Sequence, residues 1–495
     1  MFLGIDVGTQ GVKALIYDAD SRRVVDVASK PLALISKPDG TREQLAQWWL
    51  EALAQCLADL HKPHRSGVLA IGVSGQQHGF VPVDAEGEVL APVKLWCDTA
   101  TVAECEQITA NFGGPQRCIS EVGNAILPGY TAPKIRWMKN HRPEEYARLA
   151  TILLPHDYIN FYLTGERAME CGDASGTGML DVRRRQWHLE LLYAVDEGRD
   201  LSAALPPLLE SDATMGQLRA DVALKLGLPP GIPVSTGGGD NMMAAIGTGN
   251  VGAGRITVSL GTSGTLFAST KEPIIDRQGD LAAFCSSTGG WLPLLCTMNC
   301  TVSTELTRQL FQVDIQEFEQ RVGNAPPGSN GVMTLPFFNG ERSPSLPNGK
   351  ACILGLDDSN YSQGNLLRSA MESATYGLRA GLDTLRQHGC VIDTIRLTGG
   401  GARSEAWRQM VADIFNLPVT VQSVDEGAAM GAALQALWLY QRQAGGVDDL
   451  QGLLDAHLTL DPARACTPRK DNVVAYGQHY REYLRHVEAV TPLYV

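Results

Sequence analysis

Short apolar runs alternate with stretches of helical period along the first part of the chain. Runs at residues 2–6, 12–17, 24–28 and 68–74 predict strands. Between the last two, residues 43–61 carry Leu45, Trp48, Trp49, Leu53 and Leu57 on one stripe, which predicts a helix. Strand and helix in alternation are an α/β signature. The stretch from about Cys105 to Leu228 loses this regularity and is broken by Pro128, Pro133, Pro155 and Pro206-Pro207. It predicts a helix-rich insertion. An apolar strand then ends in Gly237-Gly-Gly-Asp240-Asn241 and leads into an Ala/Gly/Met-rich helix at 241–249.

After this helix the pattern restarts. A hairpin is predicted at 256–268, a helix at 365–388, a strand at 394–397 and a helix at 405–415. Residues 427–433 open a small-residue helix suited to close packing on a sheet, and the tail beyond Pro468 predicts one peripheral helix. A chain of 495 residues exceeds what one core accommodates. A boundary near Gly252 divides it into domains 1–252 and 253–495.

The two hairpins share one turn. The first reads Asp6-Val-Gly8-Thr9-Gln10-Gly11-Val-Lys13, and the second Leu260-Gly261-Thr262-Ser263-Gly264. Successive free N–H groups in such a turn, with Thr and Ser hydroxyls, form an anion-binding concavity. Either copy alone reads equally as a simple hairpin connection. Recurrence in both halves, with Asp6 before the first, points to a phosphate held between two related domains.

Composition narrows the ligand. Asp plus Glu number 54 against 41 Lys plus Arg, a net charge of −13. That balance argues against a nucleic-acid partner, which needs a basic face. A phosphate ligand remains compatible, because turn amides and Mg²⁺ supply positive potential locally. The eleven cysteines are scattered, with no His placed to complete a zinc set, and read as reduced thiols. With no segment of membrane-spanning character and no leader-like start, a cytoplasmic protein without a membrane partner is expected.

Several residues carry candidate chemistry. Asp6, at a strand end beside the phosphate turn, can hold Mg²⁺ against nucleotide phosphates; it can equally cap its own turn. Asp240 follows three glycines that clear space for a substrate. A carboxylate there can take a hydroxyl proton during phosphoryl transfer and touch the metal; the position also suits a helix N-cap. Gly399-Gly400-Gly401-Ala402-Arg403-Ser404 opens a helix without a P-loop pattern and offers flat backbone for a base and ribose. Gln76-Gln77-His78-Gly79 places two amides and an imidazole on one loop, able to bind several sugar hydroxyls. Trp96 and Asp98 could add a ring face and an acceptor.

Taken together, these pieces resemble the FGGY family of carbohydrate kinases, within the sugar kinase–actin–chaperone ATPase superfamily. Two further stretches match the family's patterns: Gly129-Tyr-Thr-Ala-Pro-Lys134-Ile-Arg-Trp137, continuing to His141, and Ala351–Leu356 followed after eight residues by 365–372. Leu335-Pro-Phe-Phe-Asn-Gly-Glu-Arg342 also resembles a family run. The loop 74–79 resembles that of the xylulokinase branch.

The resemblance implies an α/β fold of two duplicated ribonuclease-H-like, actin-like ATPase domains, each a five-stranded mixed sheet, with a deep interdomain cleft. It implies ATP and Mg²⁺ as cofactors and D-xylulose as sugar, and allows a homodimer. It puts Asp240 at the catalytic base and Asp6 at the phosphate and metal. Gln77, His78 and Asn241 would contact the sugar. Gly8, Thr9, Gln10, Lys13, the 261–264 turn and the 399–404 turn would contact the nucleotide. Two positions depart from the pattern: Cys97 replaces a common Asn, and Glu305 falls where Trp is common. A kinase for another ketopentose or polyol is the nearest alternative. A nucleotide-gated switch whose output is a protein contact is the alternative from a different class, disfavoured by the polar, sugar-sized loops.

Overall fold

The computed structural model describes residues 1–494 except 425, 447 and 448. Two mixed sheets organise it. The first contains β1 (Phe2–Val7), β2 (Gly11–Asp18), β3 (Arg23–Pro31), β4 (Ala70–Gly75), β5 (Thr214–Gln217) and β6 (Pro233–Ser235), in the order β5-β6-β4-β1-β2-β3. The second contains β7 (Gly254–Leu260), β8 (Gly264–Ala268), β9 (Ala282–Cys285), β10 (Trp291–Thr297), β11 (Ile392–Thr398) and β12 (Val419–Val421), in the order β9-β10-β8-β7-β11-β12.

A common path is visible. In the first sheet β3, β2 and β1 are antiparallel neighbours, and β4 and β6 continue in parallel. In the second, β10, β8 and β7 are antiparallel neighbours, and β11 and β12 continue in parallel. The duplicated five-strand unit is therefore present twice. Each copy also gains a strand that periodicity did not predict, at opposite edges: β5 beside β6, and β9 beside β10. The pair Gly238–Gly239 adds a short strand along β4.

Two helices cross between the sheets. Asp240–Gly247 (α2, after α1 at Ala46–Asp59) leaves the first half, and Gly427–Gln443 (α5, after α3 at Gln363–Gln387 and α4 at Glu405–Phe415) leaves the second. Each packs on the opposite sheet. Met242, Met243, Ala245 and Ile246 of α2 share a core with Phe267, Leu292 and Leu294. Helix α5 lies backbone against backbone on β1 and β4: a Cβ at Gly4 would fall 1.9 Å from the Ala429 carbonyl oxygen, and one at Gly72 2.0 Å from that of Ala432. The two helices touch as closely, since a Cβ at Gly431 would fall 1.8 Å from the Met243 carbonyl oxygen. Only residues without side chains permit this approach. The buried Gln435 locks the arrangement, accepting from Ser235 Oγ at 2.8 Å and from the Gly237 amide at 2.9 Å.

Two expectations require correction. The first helix starts at Ala46, because Arg42–Gln44 pairs as a strand with Val93–Lys94; Leu45 is exposed and Trp48 only half-buried. The tail is one helix, Lys470–Val490 (α6), but it is not peripheral. Tyr476, Tyr480 and Tyr483 are buried against Tyr376, and the Tyr476 hydroxyl donates to Glu372 Oε1 at 2.9 Å. No described helix is long and apolar enough to cross a membrane.

Candidate active site

Strand β1 delivers Asp6 to its carboxyl end, in register with Ser74 on β4 and Lys13 on β2. Ser74 Oγ donates to Asp6 Oδ1 at 2.7 Å. Burial raises the Asp6 pKa, partly offset by Ser74 and by the Lys13 charge. The Gly8–Gly11 turn closes with a 3.0 Å amide-to-carbonyl bond. Thr9 at its crest is held from three sides. Trp96 Nε1 donates to Thr9 Oγ1 at 2.9 Å, Thr9 Oγ1 donates to Gln76 Oε1 at 2.9 Å, and Gln44 Nε2 donates to the Thr9 carbonyl at 2.8 Å. Gln44 was not singled out by the sequence; Thr9 lies 35 residues from it.

Asp240 begins α2 and remains partly open to solvent. The N-cap position belongs to Gly239, so Asp240 is not the cap. Its Oδ1 accepts from the Asn241 amide at 2.8 Å and from Asn241 Nδ2 at 3.1 Å. The same Nδ2 donates to Gln77 Oε1 at 2.9 Å, joining three predicted site residues in one network. Burial, then the charges of Asp6 and Asp173, push the Asp240 pKa up to about 7. That gives the carboxylate the basicity that accepting a proton near neutral pH requires.

His78 adopts φ +66° and packs, at 4.9 and 5.5 Å, against the rings of Tyr130 and Phe284, which also touch each other. Burial, with the Lys134 and Arg342 charges, holds its imidazole well below the usual pKa, so the ring is neutral. Its Nδ1 and Gln77 Nε2 are buried without partners, two polar groups that a hydroxylated ligand could satisfy. Arg342 reaches this side from the second half, carried by the run at 335–342. Behind the site, His156 Nδ1 lies 2.7 Å from Asp173 Oδ2, and His156 Nε2 lies 3.0 Å from Asp157 Oδ1. Burial disfavours the imidazolium, but these carboxylates raise its pKa to about 9. Sequence reading passed over this cluster, because nothing local marks it; Arg342 lies in the run noted at 335–342 but was given no role.

The turns expected to meet the nucleotide lie mainly in the second half. The carbonyls of Gly261 and Thr262 accept the amides of Thr301 and Cys300, fixing the 261–264 turn to the next helix, Thr301–Leu310. Gly399, at φ +87°, packs on the Leu260 backbone, where a Cβ would fall 2.8 Å away. The 399–401 backbone therefore sits beside the second phosphate turn, and nothing lies within 4 Å of a Cβ at Gly400.

Three expected contacts have their side chains engaged elsewhere, and a fourth is exposed. Asp98 is buried, and its oxygens accept from Lys94 Nζ and the Arg42 and Ala100 amides; it anchors the loop instead of presenting to a sugar. Lys13 is ion-paired with Glu426 across the halves. Ser404 caps α4 through the Trp407 amide and donates to Glu319. Gln10 offers its carbonyl to Leu32 and an exposed side chain. Of the departures, Glu305 pairs with Arg308 on its own helix, and Cys97 is half-buried.

A divalent cation fits the residues present. Among the described residues no group of three or more His, Cys, Asp or Glu could hold a metal by itself. Asp6 and Asp240 are, however, two carboxylates close enough to raise the proton affinity of one. Mg²⁺ is commonly held by one or two carboxylates plus substrate phosphates and water.

Comparison with known proteins decides the family. The N-terminal domain model of the FGGY family of carbohydrate kinases matches residues 1–247, and the C-terminal domain model matches 256–440. The chain belongs to the FGGY family of carbohydrate kinases. It is an enzyme, a sugar kinase. A xylulose kinase of Haemophilus influenzae is 44% identical over 98% of this chain and 99% of its own length. That of Escherichia coli K12 is 32% identical over the whole of both chains. The crystal structure of a xyloylose kinase from Brucella ovis superposes with a TM-score of 0.90 at 30% identity, covering 99% of each chain. The two-domain, actin-like ATPase fold implied by the motifs is thereby established.

Proposed function

We propose that this FGGY kinase phosphorylates D-xylulose, using ATP with Mg²⁺ and giving ADP and D-xylulose 5-phosphate, with Asp240 as general base. The carrying observation is the Asp240–Asn241–Gln77 network, beside Asp6 and below unpartnered polar groups of Gln77 and His78. The names of the relatives support the sugar.

In this reading the C5 hydroxyl lies against Asp240. Its oxygen forms the new bond to the γ-phosphorus, its proton passes to Asp240, and the bond to the ADP oxygen breaks. Asn241, donating to Asp240 Oδ1, fixes that carboxylate and leaves the other oxygen for the proton. The 261–264 amides meet the transferring group, and the 8–11 amides line the opposite side. Asp6, with Asp240, would hold Mg²⁺, which when bound would neutralise phosphate charge. Such catalysis is mostly positioning and charge stabilisation.

The test is ADP release measured with D-xylulose, D-ribulose, L-ribulose, xylitol and glycerol. D-xylulose should have the highest kcat/KM; better use of another overturns the sugar assignment. Asp240→Asn should lower turnover by about 10²–10⁴-fold with sugar binding retained. Near-native turnover removes the base assignment.

A further inference from the structure

The stretch 129–141 matches a family pattern, yet none of its residues enters the reaction above. Its chemistry is unusual. Lys134 is wholly buried, and a buried ammonium must be paired or hydrogen-bonded. Lys134 Nζ donates to two backbone carbonyls, those of His78 and Gly129, each at 2.7 Å. Thr131 Oγ1 donates to the same His78 carbonyl at 3.1 Å. The nearby Asp98 charge favours the ammonium, although burial wins and lowers it to about 7.

The carbonyl they hold belongs to a residue that needs holding. His78 has φ +66°, a left-handed conformation uncommon for a residue other than glycine. Rare backbone states persist where the surroundings over-determine them. Neighbouring residues of the stretch act on the same loops. The Tyr130 ring packs on the His78 imidazole. Gly129 approaches the Trp96 carbonyl so closely that a Cβ would fall 2.5 Å from its oxygen. Trp137 lies under Lys94 Nζ, 3.9 Å from the ring centre, and that lysine holds Asp98. One helical segment thus binds the 74–79 loop and the 94–98 loop together.

We propose that Lys134 is a positioning residue for sugar binding: with Thr131 it clamps the His78 carbonyl, fixing the left-handed turn that presents the imidazole and Gln77 to the substrate. This rests on the reading of Gln77 and His78 as sugar contacts. Both hydrogen bonds of Lys134 Nζ go to backbone carbonyls, so it acts through the loops and not on the reacting groups.

The experiment compares Lys134→Met, Thr131→Val, His78→Ala and the double variant Lys134→Met/His78→Ala in the full-length enzyme. KM and kcat are measured for D-xylulose and ATP, with melting temperatures with and without sugar. Lys134→Met should raise the D-xylulose KM at least tenfold and reduce the melting shift given by the sugar, with the ATP KM within twofold. Thr131→Val should move the same quantities less. In the His78→Ala background, Lys134→Met should raise the sugar KM by clearly less than it does alone, because the imidazole contact is already lost and only the placing of Gln77 remains. A lower melting temperature with an unchanged sugar KM overturns the proposal, as does full additivity in the double variant. Should Lys134→Met fail to fold, Thr131→Val decides by the same KM criterion. If His78→Ala itself leaves the sugar KM unchanged, the sugar-contact reading fails; if His78→Ala raises it and Lys134→Met does not, only the clamp fails.

Discussion

The two glycine turns sit at equivalent places in equivalent sheets, yet they are built differently. Before the first stands Asp6, opposite Ser74; before the second stands Ser259, opposite Thr398. The first turn is braced by side chains of Gln44, Gln76 and Trp96 that converge on Thr9. The second is braced by backbone, through the amides at the start of the next helix. The same strand–turn–strand scaffold occurs twice, with a carboxylate before one turn and a hydroxyl before the other. A copy that meets a metal gains from the carboxylate; a copy that meets phosphate oxygens directly would be repelled by it.

Making the first copy resemble the second is the strongest test of that contrast. Asp6→Ser should lower turnover by about 10²–10³-fold, the range for losing one electrostatic stabiliser, and should blunt the response to Mg²⁺. A Mg²⁺ titration of the purified variant checks both; an unchanged curve would leave Asp6 as a turn residue. Next in size is Gly399→Ala. Left-handed backbone costs a non-glycine residue roughly 1–2 kcal/mol, and here the Cβ also meets Leu260. The ATP KM should rise about tenfold while the sugar KM stays within twofold. Equal change in both would mean that the loop serves the whole cleft.

Trp96→Phe probes the bracing of the first turn alone. It removes one donor to Thr9, worth about 0.5–1.5 kcal/mol, and should lower kcat/KM by about three- to tenfold without altering the fold by circular dichroism. The smallest effect is expected for Ser259→Ala, under about threefold in kcat, a change that sits within the ~0.5 kcal/mol typical of an unstressed substitution. A loss as large as that of Asp6→Ser would show that the copies are chemically equivalent after all.

What the sequence disclosed follows the range of the interactions. The two hairpin turns are written as paired glycines three residues apart, and Asp240 follows a run of three, so they are legible locally. Lys13 is not, because its partner Glu426 lies 413 residues away. Asp98 and Ser404 look like site residues by type and position; the remote partner Arg42 reveals Asp98 as an anchor, whereas the Ser404 cap on the Trp407 amide is local and was legible. Burial of the tail was accessible in principle, since Tyr476, Tyr480 and Tyr483 recur at helical spacing and mark one face. The edge strands β5 and β9 are short and irregular, and become strands only by pairing with a neighbour.

The crossing of α2 and α5 has a mechanical meaning. Their backbones touch at Gly431 and Met243 without intervening side chains, and each rests on the other half's sheet. Such a contact resists sliding, because ridges of carbonyls face each other, but tolerates a roll. Asp240 is the first residue of α2, one turn before Met243, so its backbone is anchored where the two halves approach most closely.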